Sequence, residues 1–184
     1  FDLLSREFAH TRRKNLLLRD LDELVNQQLA KMLFANPQRI DYYDRYQEII
    51  DAYNAEQNRA TIEKTFMDLM ELASSLDTEQ QRYVREGFSS DEELSVYDLL
   101  FSENLTKQEI ETIKKVSVDL LTKIKQQIAK LDHWTDKQET KAIVDNLIRN
   151  TLWQELPNSY DVNDIQTYQK KIYEYVYMRY PEVA

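Results

Sequence analysis

The chain has 184 residues, with 24 Lys plus Arg against 33 Asp plus Glu, a formal net charge of −9, and only 1 Gly, 3 Pro and no Cys. Phosphate loops and dinucleotide fingerprints built on several glycines are excluded, as are disulfides and cysteine-ligated metals. A sheet-rich fold would lack turn residues, and the acidic balance works against general attraction to duplex DNA.

With 42% apolar and 31% charged residues, the chain has the composition of a folded domain rather than a disordered tail. No apolar run approaches the ~20 residues of a membrane span, and the missing thiols fit a reducing compartment such as the cytoplasm. The expected fold class is all-α, an irregular multi-helix bundle of about seven helices with short capped connections and little or no β structure. Composition is even along the chain, so residues 1–184 are read as a single helical domain. Phe1 starts within a segment that already looks helical, which reads as a C-terminal piece of a larger protein.

Residues 1–37 form a leading helix that ends at Asn36-Pro37, because proline disfavours the α conformation of the residue before it. Its weak point lies near Phe8–Thr11. From about Gln38, Tyr42, Tyr46, Ile49, Ile50 and Tyr53 share one helical face. The polar stretch Asn54–Arg59 interrupts it, and helix resumes through Ile62, Phe66, Leu69, Met70 and Ala73. Asp77-Thr78-Glu79-Gln80 reads as a new helix start, with Gly87 and Phe88 as a left-handed stop. Ser90-Asp91-Glu92-Glu93 and Thr106-Lys107-Gln108-Glu109 are capping boxes. Thr135-Asp136-Lys137-Gln138 is a further start after the His133-Trp134 break, and Leu156-Pro157 ends that helix. The last helix runs from near Asn163 to near Tyr180, before Pro181.

Chemistry-bearing motifs are few. Glu7-Phe8-Ala9-His10 is half of a carboxylate-bundle metal signature, but the other histidine, His133, has Lys130 where the second glutamate belongs. Glu139-Thr140-Lys141 has the spacing of a metal-dependent nuclease site, yet it falls in the first turns of a helix. No catalytic, cofactor-binding or metal residue is assigned.

Two surfaces stand out. Tyr168, Ile172 and Tyr175 make one stripe of the last helix, and Tyr173, Tyr177 and Tyr180 make a second. A helix apolar over that much of its circumference packs on two sides or offers one to a partner. Tyr173, Tyr177 and Tyr180 are therefore the candidate partner interface, while Trp134 and Trp153 are expected to anchor the core. Lys107, Lys114 and Lys125 fall within about 20° of one another on the helix from Lys107. They are the candidate nucleic-acid contact.

From Tyr42 onward an ordered set of segments carries a resemblance: Tyr46–Asn54, Ile62-Glu63, Leu69–Ala73, Gly87–Leu100, Leu131–Trp134 and Ile148–Pro157. This series, over residues 42–180, resembles the C-terminal helical domain of the R subunit of type I restriction–modification enzymes. Residues 1–37 carry no matching motif. The resemblance implies a cytoplasmic parent protein with nuclease and motor domains that use ATP and Mg²⁺ outside this chain. It also implies a non-catalytic domain with no cofactor of its own, docking the DNA-translocating and cleaving subunit onto the methyltransferase core of modification and specificity subunits. Its partners would be that core and the motor domains of the same chain, with no membrane and no small-molecule substrate. The alternative is a DNA-contacting guide beside the motor, using the lysine edge.

Overall fold

The structure is a computed structural model that describes residues 2–56 and 58–181. Among these residues all regular structure is helical, with nine α-helices and one short 3-10 turn. The all-α class holds, and the excess over seven helices comes from breaks in segments that periodicity alone reads as continuous. Chain contacts divide into two compact units, Phe1–Arg85 and Glu86–Ala184. No shift in composition marks that division.

The first unit carries α1 (Asp2–His10), α2 (Lys14–Ala35), the 3-10 turn Pro37–Arg39, α3 (Ile40–Ala55), α4 (Arg59–Gln80) and the single turn α5 (Arg82–Arg85). The leading helix is thus split at residues 11–13, close to its expected weak point. It ends as the proline rule requires: Asn36 is extended, and its side chain accepts from the Gln38 backbone N–H. On α2, Leu18, Leu21, Val25, Leu29 and Met32 recur every three or four residues and are buried, the spacing of one helical face. They pack with Phe66, Leu69, Met70, Leu72, Ala73 and Leu76 of α4. Phe8 of α1 stacks on Phe66 at a centroid distance of 3.7 Å.

The expected start at Asp77 is not a start, since α4 runs through it to Gln80. The Thr78 hydroxyl donates to the Ser74 carbonyl, and Asp77 accepts from Gln28 of α2. Neither side chain caps a helix: Thr78 is engaged within the continuing one and Asp77 by α2. Glu79 is buried and pairs with two guanidiniums, Arg39 at 3.0 Å and Arg82 at 2.9 Å.

The second unit carries α6 (Asp91–Leu100), α7 (Lys107–Ile128), α8 (Gln138–Glu155) and α9 (Val162–Arg179). Gly87 adopts φ +84°, the left-handed stop expected of the only glycine. Ser90 caps α6 by accepting from Glu93 N–H, while the Glu93 carboxylate reaches one residue further back, to Ser89 N–H. Thr106 and Glu109 form the full reciprocal box on α7. Asp161 and Asp164 do the same for α9, an acidic variant of the box that the search for Ser or Thr starts overlooks. Thr135 does not cap α8. That helix begins after Lys137 without a side-chain cap, and Asp136 closes a turn onto the His133 carbonyl.

The second core gathers Leu94, Val96, Leu99 and Leu100 of α6 with Ile113, Val116, Leu120, Leu121, Ile124 and Ile128 of α7. Val144, Ile148 and Leu152 of α8 and Ile165, Ile172, Tyr175 and Val176 of α9 complete it. Each fully buried aliphatic side chain contributes about 1.5–3 kcal/mol relative to exposure. Tyr160 donates its hydroxyl to the Leu100 carbonyl at 2.6 Å, tying the α8–α9 connection to the end of α6.

Candidate interface around Trp134

The two stripes of α9 have different fates. Ile172 and Tyr175 are buried and Tyr168 is half-buried, so the first stripe is core. The second stripe lies at the margin: Tyr173 and Tyr180 are half-buried and Tyr177 is 38% exposed.

What supports that margin is Trp134, itself 1% exposed. It sits in the turn between α7 and α8, directly after His133, whose φ of +46° reverses the backbone in the left-handed region. Its ring meets Tyr173 edge-on at 6.1 Å and Tyr177 edge-on at 5.7 Å, spacings at which aromatic quadrupoles attract. Tyr173 and Tyr177, one turn apart, lie 6.1 Å from each other. The Trp134 indole N–H donates to the Tyr180 carbonyl at 2.6 Å, and the Trp134 carbonyl accepts from the Thr140 hydroxyl at 2.7 Å. The Lys141 ammonium lies 5.7 Å from the Tyr177 ring, within cation–π range. Trp134 therefore anchors the core as expected.

Trp153 does not. It is 57% exposed. The buried positions of α8 are Val144, Ile148, Thr151 and Leu152, and at 100° per residue Trp153 points about 155° away from their mean direction.

Burial raises the Tyr173 hydroxyl above its ordinary value, with the charge of Asp145 adding to it. Burial raises Tyr180 as well, reinforced by Tyr175 and Glu92. Both phenols are held in the neutral form.

The lysine edge is present on α7 but largely engaged. Lys114 bonds both the carboxylate and the backbone carbonyl of Glu86, at 3.1 and 3.0 Å. Lys125 pairs with Glu92 and sits 5.3 Å from the Tyr180 ring. Lys107 is exposed at the start of the helix. The structure therefore brings the tyrosines together around Trp134, while Lys114 and Lys125 are drawn to acidic residues near α6. Sequence reasoning missed the contribution of Lys141, which lies inside the Glu139-Thr140-Lys141 motif. That motif occupies the first turn of α8. Glu7 and His10 lie on α1, where Phe8 is the residue facing the core. Among the described residues no three His, Asp or Glu side chains are grouped to hold a metal, and no helix is long and apolar enough to cross a membrane.

A family model described as type I restriction enzyme HindI endonuclease subunit-like, C-terminal, matches residues 2–180. No curated protein and no solved structure matches the chain.

Proposed function

The chain belongs to the family of type I restriction enzyme HindI endonuclease subunit-like C-terminal domains, and on that premise we propose that it docks an ATP-driven, DNA-translocating and cleaving subunit onto a methyltransferase core of modification and specificity subunits. In this role it is non-catalytic and cytoplasmic. It binds no cofactor, while ATP and Mg²⁺ serve other domains of the parent protein.

The observation that carries the proposal is the Tyr173–Tyr177 pair, partly exposed and fixed from behind by Trp134. Interface hot spots favour aromatic side chains in well-packed settings. Rings already held in place lose little further freedom on association. The Lys141 ammonium at the Tyr177 ring adds a positive rim.

The lysine edge gives the DNA-guide alternative little support, because Lys114 and Lys125 already pair with Glu86 and Glu92. Size-exclusion chromatography of the chain mixed with its cognate methyltransferase core, with and without duplex DNA, separates the two. Co-elution without DNA is the expected result. Binding to duplex alone at low salt, with no co-elution, overturns the docking role and moves the function to Lys107 and its neighbours.

A further inference from the structure

Trp153, left out of the core, is 57% exposed in the last turn of α8. On a helix, residues four apart form a ridge that winds round the axis by about 40° per step. Lys141, Asp145, Arg149 and Trp153 make such a ridge. It starts against α9, where the Lys141 ammonium lies 5.7 Å from the Tyr177 ring and Asp145 accepts from the Gln169 amide at 2.8 Å. It then turns outward, and Arg149 and Trp153 are both exposed. At 1.5 Å per residue the ridge covers about 18 Å of α8. Trp153 therefore stands at the far end of a line that begins at Tyr177, continuous with the surface around Trp134.

The ridge carries an excess of positive charge on a chain whose net charge is −9. Neither Lys141 nor Arg149 has a carboxylate within ion-pair distance among the described residues. Arg149 donates to the side-chain oxygen of Asn146 at 2.8 Å, a neutral partner. The single acid of the ridge, Asp145, already holds Gln169. Beside it on α9, Lys170 and Glu174 pair with each other at 3.9 Å. By contrast, Lys114, Lys123 and Lys125 of α7 each hold a carboxylate.

An exposed tryptophan one turn beyond an arginine of unmatched charge, in line with a tyrosine, combines the three residue types that dominate interface hot spots. Two cations are too few to hold a duplex against the acidic field of the whole chain. They are enough to match two carboxylates on a partner. A ridge of this kind packs into the groove of a second helix.

We propose that a helix of the methyltransferase core lies along this ridge, seating Trp153 against apolar side chains and presenting two carboxylates to Lys141 and Arg149. Those two positions are about 12 Å apart along α8, which places the carboxylates about seven or eight residues apart on the partner helix. The inference rests on the docking role proposed above. It adds a second anchor to Tyr177 and specifies the chemistry of what covers both.

The test measures binding of the 184-residue chain to the methyltransferase core on a biosensor, at low salt and at about 0.5 M NaCl, where exposed charges are screened. Trp153→Ala should keep the helical spectrum and weaken binding by about tenfold. Arg149→Glu should slow association several-fold at low salt, and the deficit should shrink at high salt. Arg149→Lys keeps the charge and should restore most of the rate. If Tyr177→Ala weakens binding while Trp153→Ala and Arg149→Glu do not, docking stands and this inference falls. If the core does not bind the parent chain at all, both fall. An Arg149→Glu deficit of equal size at both salt concentrations overturns the acidic partner. If Trp153→Ala instead abolishes binding to duplex DNA, or self-association of the chain, with core binding unchanged, the ridge has a different occupant and the proposal is overturned.

Discussion

The Trp134 indole N–H donates to the Tyr180 carbonyl across 2.6 Å, joining the turn before α8 to the end of α9. One bond thus closes the second unit near its last described residues and sets the platform against which Tyr173 and Tyr177 lie. Trp134→Phe keeps an aromatic ring but removes the donor and part of the volume. It should destabilise the second unit by about 2–3 kcal/mol, measured by urea denaturation.

The two tryptophans should be separable by fluorescence. Trp134 is 1% exposed and Trp153 57% exposed. Trp153→Phe should leave a blue-shifted emission that acrylamide quenches poorly, whereas Trp134→Phe should leave a red-shifted, readily quenched one. Trp153→Phe should change stability by less than about 0.5 kcal/mol, as surface substitutions usually do.

The ion cluster of the first unit sets up an opposite expectation. Glu79 is 8% exposed and Arg39 3%, and Arg82 approaches the same carboxylate oxygen. Removing one partner of a buried pair leaves uncompensated charge, at a cost of about 3–5 kcal/mol. Glu79→Gln should therefore destabilise the first unit strongly. Amide hydrogen exchange should show the loss of protection in α2–α4, with the second unit little changed.

Gly87 offers a cleaner backbone test. Its φ is +84°, and a Cβ placed there meets nothing within 4 Å. Gly87→Ala should cost about 1 kcal/mol, all of it from the left-handed conformation rather than from a clash. Gly87→Asn should cost less, because asparagine tolerates that region. Thermal denaturation of the pair would show it.

Alkaline pH should destabilise the fold through its buried phenols. Tyr46 is raised above its ordinary 10.0 by burial and by its bond to Asp22. Tyr160 is raised by burial, with nearby phenols and carboxylates adding to it. With folded values above unfolded ones, the unfolded chain loses these protons first. The resulting stability is complete below about pH 10 and falls as pH rises toward the folded values. The part of the tyrosinate absorbance due to Tyr46 and Tyr160 should appear together with loss of helical signal, rather than before it, and Tyr46→Phe and Tyr160→Phe identify that part.

Tyr177 is the variant that best isolates docking. Tyr173 and Tyr180 are half-buried and tied to the Trp134 cluster, so replacing all three tyrosines would disturb packing as well as the surface. Tyr177→Ala alone should keep the helical spectrum and weaken assembly with the methyltransferase core by about tenfold or more, as hot-spot truncations do. Unchanged affinity in a folded variant would exclude this face.

Much of the molecule was legible in the residues themselves. Scarce Gly and Pro, apolar positions at helical spacing, and the caps at Ser90 and Thr106 are local features. Local geometry decides them, so the all-α class, the stop at Gly87 and the break at Asn36-Pro37 follow from the chain alone. Other outcomes required neighbours. Asp77 and Thr78 look like a cap until Gln28 and the Ser74 carbonyl engage them. Trp153 has the composition of a core residue but stands opposite the buried face of α8. The lysines align on α7, yet what they do depends on Glu86 and Glu92, whose positions α7 does not encode. Spacing along one helix specifies which side chains share a face, whereas burial and pairing depend on what another element brings to that face.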